Sequence, residues 1–172
     1  MSPGFLLIRH ARAAGQAPDA PLTEEGQRAA QNLIVQLGHR NITRIVSSPW
    51  VRAVDTARPL AEALGLSLET DGRLTERVLS GQDLPHWQTA LKASFAVPAL
   101  KLPGGESGKA ARSRGLAALH DAQQRDGLSA VFTHGNLLAL LLGLDYEGWA
   151  GLRNPDVWQF SLDGQASRIP LE

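Results

Sequence analysis

The chain has 172 residues and a mass of 18.4 kDa, enough for one domain that buries roughly 70% of its unfolded surface, so a single domain over 1–172 is expected. Its 43% hydrophobic and 20% charged residues exclude wholesale disorder, and the balance of seventeen Lys and Arg against seventeen Asp and Glu provides no overall field for nucleic acid or an anionic membrane. The absence of cysteine removes disulfides, thiolate zinc sites, iron–sulfur clusters and a cysteine nucleophile, and fits a reducing compartment.

The apolar run at residues 5–8 ends abruptly in Arg9-His10, the pattern of a strand buried on both faces of a parallel sheet. It is too short for a signal-peptide core of roughly 7–15 residues or a membrane span of about 20, as is the run at 137–142, so a cytoplasmic setting is expected. Past a loop with Pro18 and Pro21, Thr23 reads as an N-cap, and Ala30, Leu33, Ile34 and Leu37 recur at helical spacing up to Gly38. Residues 42–46 form a second apolar strand ending in Ser47-Ser48-Pro49. A helical pattern follows from Val51 to Leu64 before Gly65, with Pro59 expected to kink or divide it.

Residues 66–70 are read as a third strand. The stretch 71–105 has mixed signals, with a helix expected around 86–95 and a Pro/Gly loop at 102–105. A helix is expected over 106–126, stopped near Gly127, then a strand at 130–132 ending in Thr133-His134-Gly135 and an apolar helix at 137–142. Strands at 157–162 and 166–170 flank a turn at Asp163-Gly164, and neither repeats nor linkers are evident. This alternation predicts a three-layer α/β/α sandwich with a largely parallel central sheet. Ligands of such folds bind beyond the carboxyl ends of the strands, where Arg9-His10, Ser47-Ser48 and Thr133-His134 converge.

A strand-end imidazole is neutral near pH 7 and can act as a nucleophile, with the attacking nitrogen selected by the hydrogen bond at the other, and His10 fits that role. Arg9 and Arg52 offer planar, permanently charged donors that match phosphate oxygens. Five segments then occur in order: Arg9-His10-Ala11, Leu22-Thr23-Glu24-Glu25-Gly26, Ser47-Ser48-Pro49-Trp50-Val51-Arg52-Ala53-Val54-Asp55-Thr56-Ala57, Gly104-Gly105-Glu106-Ser107 and Thr133-His134-Gly135. The chain thereby resembles the histidine phosphatase superfamily, the phosphoglycerate mutase-like family, with the remainder fitting that family's final hairpin.

The resemblance implies a phosphoglycerate mutase-like fold and a two-step phosphoryl transfer that needs no metal or cofactor. His10 would take the phosphoryl group and water would release it, while Arg9, Arg52 and His134 hold the equatorial oxygens. Glu76 resembles the family's proton donor, with Asp71 and Asp83 as substitutes because the following segment departs from the pattern. Ser80 stands where a glycine is usual, Gly81 comes one residue late, and the aromatic-acid-glycine block is absent.

Ala11 replaces the usual glycine and Ala13 and Gln16 replace a threonine and an asparagine, although the Gln16 amide could still donate to phosphate. Ala11 also occurs in small phosphohistidine phosphatases, whereas Glu76 and Gly104-Gly105-Glu106-Ser107 look more like the small-molecule phosphatases. The leading expectation is therefore a phosphatase acting on a small phosphomonoester. A phosphohistidine protein is the alternative substrate, followed by a mutase or a non-catalytic phosphate-binding module.

Glu106 and Ser107 read equally as helix-capping or substrate residues, and Arg12, Arg77 and Trp50 are further candidates for substrate contact. His39, His86 and His120 are assigned to surface or packing, and Trp50, Trp87, Trp149 and Trp158 to core or rim rather than nucleic-acid stacking. Oligomeric state has no sequence signal.

Overall fold

Along the first strand the side chains alternate between two cores. Phe5 and Leu7 join one, while Leu6 and Ile8 join the other, and all four are fully buried. That strand, β1 (Gly4–Arg9), is central in the computed structural model of the protein, which describes residues 4–172; residues 1–3 of the expected domain lie outside it.

The described elements run α1 (Glu24–Leu37), β2 (Ile42–Ser47), α2 (Val51–Leu64), β3 (Leu68–Thr70), a 3-10 turn (Gly72–Leu74), α3 (Trp87–Ala96), α4 (Gly108–Asp121), β4 (Leu128–Thr133), α5 (Gly135–Leu142), α6 (Tyr146–Ala150), β5 (Asp156–Ser161) and β6 (Ala166–Ile169). The six strands form one sheet in the order β3-β2-β4-β1-β5-β6. β3, β2, β4 and β1 are mutually parallel, and β5 runs antiparallel to both neighbours. Leu33 and Leu37 of α1 and Ala57 and Leu60 of α2 cover one face, while Ala111, Ala118 and Leu119 of α4 and Leu137 and Leu141 of α5 cover the other. The chain thus forms the expected α/β/α sandwich.

Several boundaries differ from expectation for local reasons. α2 runs unbroken through Pro59: Ala53, Ala57, Leu60 and Ala61 are buried along one side, and this packing outweighs the loss of one intrahelical N–H. β3 begins at Leu68 because the Leu66 N–H still bonds the Ala61 carbonyl at the end of α2. α4 stops at Asp121, where the Ala122 N–H reaches the Ala118 and Leu119 carbonyls and tightens the last turn. Gly127 then enters β4 with φ +94°. The short α6, opened by the Asp145 carboxylate accepting from the Gly148 N–H, had no periodic signal in five residues.

Candidate active site

The parallel strands deliver their polar ends to one edge of the sheet. β1 ends at Arg9 with His10 next, β2 ends at Ser47 with Ser48 next, and β4 ends at Thr133 with His134 next. The His10 backbone N–H donates to the Thr133 carbonyl at 3.1 Å, and its carbonyl accepts from Asn154 Nδ2 at 3.1 Å. Its ring Nδ1 lies 2.7 Å from the Ala11 carbonyl, which can only accept. Nδ1 therefore carries the hydrogen and Nε2 keeps a lone pair, which faces Arg52 Nε at 3.2 Å.

Burial, with Arg52 and Arg9 alongside, lowers the His10 pKa from 6.5 to about 4 despite the Ala11 bond. His134 is driven lower still, to about 2, chiefly by burial and then by the neighbouring His10, Arg52 and Arg9. Both rings are therefore neutral near pH 7, with centroids 5.2 Å apart. His134 Nε2 sits 2.8 Å from Ser48 Oγ, while its buried Nδ1 has no protein partner. Ser48 Oγ accepts from the Trp50 N–H, so its own hydrogen can go to Nε2, leaving Nδ1–H as a buried donor with no protein partner.

These shifts predict acid lability. An unfolded histidine titrates near 6.5, so below that pH the unfolded chain binds protons that native His10 refuses until about pH 4. Stability is fully present above pH 6.5 and falls across this window, by about 3 kcal/mol at pH 4 from His10 alone. Urea titrations between pH 7 and 4 should show this slope, and a flatter one in His10→Ala.

Arg52, 2% exposed, starts α2 beneath His10. Its Nη1 donates to the Gln16 and Ala17 carbonyls at 3.2 and 2.9 Å, and its guanidinium lies 4.9 Å from the Trp50 ring centroid. Trp50 also meets His134 edge-on at 4.9 Å, so one indole steadies two site residues. Thr56, one turn along α2, accepts from the Ala11 N–H at 2.9 Å and donates to the Arg52 carbonyl at 2.6 Å.

Arg9 Nη1 donates to the Leu152 carbonyl at 3.2 Å, and its buried Nε has no protein partner. The guanidinium lies against Gly135, where an added Cβ would stand 2.8 Å from Cζ. Gly135→Ala should displace this flexible side-chain end and leave the backbone in place. The expected result is a loss of kcat/KM of about tenfold to a hundredfold with little change in Tm, read by steady-state kinetics and thermal melts.

Glu76 is anchored to the start of α5. Its Oε2 accepts from the Asn136 N–H, and its Oε1 from the Leu137 and Arg77 N–H groups, at 2.8 to 2.9 Å. With Gln16, Trp50 and Arg52 it lines a cavity of about 550 Å³ whose outer wall is the segment 77–87 and includes Asp83. A larger hollow of about 720 Å³ between α1 and α2 contains none of the strand-end groups.

The structure thus brings together Arg9, His10, Arg52 and His134, and places Glu76, Gln16 and Asp83 on the adjoining cavity, where Gln16 also accepts from Arg52 through its carbonyl. It does not bring Asp71 there: that carboxylate caps the 3-10 turn and pairs with Arg73 at 2.7 Å. Arg12 is an exposed partner of Glu25, and the Arg77 guanidinium is spent on the Glu106 carbonyl and Ser94 Oγ. Ser107 caps α4 and Glu106 pairs with Arg114, so both are occupied within the scaffold.

Gly104 and Gly105 let the backbone of 79–81 approach, since a Cβ on Gly105 would meet the Leu79 carbonyl at 2.2 Å. His39, His86 and His120 are exposed. Ser48 and Thr56 belong to the segment 47–57, where the sequence assigns neither a distinct role, and Asn154 has no sequence signal. Among the described residues, no cluster of His, Asp and Glu is disposed to hold a metal ion. None of the described helices is long and apolar enough to cross a membrane.

The family model of the histidine phosphatase superfamily (branch 1) matches residues 5–171, so the chain belongs to that superfamily of phosphatase and mutase type. It is similar to a mycobacterial glucosyl-3-phosphoglycerate phosphatase solved with inorganic phosphate, at 27% identity and TM-score 0.77 over 98% of this chain and 96% of that one. A phosphoglycerate mutase from Bacillus anthracis shares the fold at 20% identity and TM-score 0.70, over 99% of this chain and 93% of that one. A probable phosphoglycerate mutase of Yersinia pestis is 40% identical over 78 residues. That match covers 41% of this chain and only 36% of the relative's length.

Proposed function

We propose that the protein hydrolyses a small phosphomonoester through a phosphohistidine at His10, without a metal. The observation that carries this reading is the fixed tautomer of His10, whose Nε2 lone pair stands beside Arg52. The lone pair attacks phosphorus and the bond to the leaving oxygen breaks. Arg9, Arg52 and the Nδ1–H of His134 hold the equatorial oxygens, and the Gln16 amide adds a donor from the cavity side.

Glu76 supplies the proton to the leaving oxygen. Its Oε2 bears a single amide bond and so has a lone pair left to carry that proton. Water then attacks the phosphohistidine, the phosphorus–nitrogen bond breaks, and Glu76 takes the proton back. Absence of cysteine fits a cytoplasmic setting for this chemistry.

A phosphohistidine protein is the second reading, motivated by Ala11. Here Ala11 is fully buried and its N–H is bonded to Thr56, so it does not widen the entrance. The wall formed by 77–87 suits a small alcohol better than a folded protein. The test is hydrolysis of p-nitrophenyl phosphate and a panel of natural phosphomonoesters with EDTA present, with intact mass measured after an acid-sparing quench. EDTA-resistant turnover with a transient phosphoryl adduct is expected. Phosphate binding with no turnover across the panel or on phosphohistidine protein would leave only a binding module, and phosphoglycerate isomerisation faster than hydrolysis would make it a mutase.

A further inference from the structure

We infer that the cavity beside His10 takes an uncharged alcohol with an apolar or aromatic face, presented as its phosphomonoester, with Trp87 as its wall and Asp83 as a barrier to anionic alcohols. This names the substrate class for the proposed function and rests on it.

Val78 and Trp87 are 46% and 45% exposed, and both line this cavity, as does Leu84. A large apolar side chain left half open on a cavity wall gains burial only when something enters. Trp87 is braced edge-on against Trp149 at 6.1 Å, with Trp149 in turn 5.5 Å from Tyr146, so the indole is largely preorganised for stacking.

Two cations line the cavity, Arg52 and Arg77. Arg52 belongs to the phosphoryl site, and Arg77, 5% exposed, bonds the Glu106 carbonyl and Ser94 Oγ through all three guanidinium nitrogens, so it is held in the scaffold rather than presented to the cavity. Of the two acids in the lining, Glu76 carries the proton that it gives to the leaving oxygen, so Asp83 is the carboxylate left to face the alcohol. An alcohol bearing a carboxylate or a second phosphate, as phosphoglycerates do, would bring its anion to Asp83 with no exposed cation among the lining residues to meet it. A neutral ring meets no such cost.

The experiment compares 4-carbamoylphenyl phosphate with 4-carboxyphenyl phosphate, which are alike in size and differ by one negative charge. The carbamoyl ester is expected to have a kcat/KM at least about tenfold higher, about 1.4 kcal/mol. That ratio should shrink in Asp83→Asn and in high salt. Trp87→Ala should raise KM for both phenyl esters more than for glycerol 2-phosphate, with the smaller effect on kcat. Equal or better turnover of the carboxylate ester by the native protein overturns the inference while leaving the hydrolase reading intact, as does a ratio unmoved by Asp83→Asn or a KM that Trp87→Ala raises no more for the phenyl esters than for glycerol 2-phosphate. No His10-dependent hydrolysis of either ester overturns the proposed function and the inference with it.

Discussion

His10→Ala is expected to lower kcat by at least about ten-thousandfold while phosphate still binds. The substitution removes the only atom that accepts the phosphoryl group in the proposed reaction, whereas Arg9, Arg52 and His134 all remain. The backbone at position 10 keeps its bonds to Thr133 and Asn154, so the strand end stays in place. Arg52 Nε, relieved of its bond to His10 Nε2, becomes a free donor for the anion. Phosphate affinity measured by calorimetry should therefore hold or tighten as turnover vanishes, and no phosphoryl adduct should appear in the mass spectrum. A variant retaining more than about a thousandth of native kcat would remove His10 from the nucleophilic role.

The parts of the fold legible in the sequence were those in which one segment carries its own signal. β1, β2 and β4 are apolar runs closed by polar pairs, and α1 announces both ends through Thr23 and Gly38. Pro59 misled because propensity acts on a helix alone, while α2 is held by buried contacts along its length. The end of α4 was hidden because nothing in Gln123 to Asp126 shows that the chain has already turned toward β4.

The site divided in the same way. Strand-end positions could be read directly, because topology alone carries Arg9-His10, Ser47-Ser48 and Thr133-His134 to one edge. Pairings across the chain could not. Glu76 is held by amides sixty and sixty-one residues away, and Ser48 meets His134 Nε2 from a separation of 86. The departures after Glu76 acquire a structural account as well. Gly81 donates its N–H to Pro103, and Val78 accepts from the Glu106 N–H, so residues 78–81 are laid against Gly104-Gly105 to form the cavity wall.

Arg52→Met should separate function from stability. In the proposed reaction Arg52 provides charged hydrogen bonds to the phosphoryl oxygens, each worth roughly 1.5–3 kcal/mol, so kcat/KM should fall by about a thousandfold. Tm should be unchanged or higher. Arg52 is a buried cation with no carboxylate within salt-bridge distance among the described residues: Nε donates to His10 Nε2 and Nη1 to the Gln16 and Ala17 carbonyls. Burial lowers its pKa, with Glu76 opposing that shift and Arg9 adding to it, so the folded state bears a cost for keeping the guanidinium charged. Methionine fills similar space without that cost, and the Gln16 and Ala17 carbonyls lie on an exposed loop where water can replace the lost donor. Thermal melts and kinetics on one preparation check both halves. A large drop in Tm would show that Arg52 secures the 16–17 loop, whereas a high Tm with lost turnover would show that its burial serves the anion.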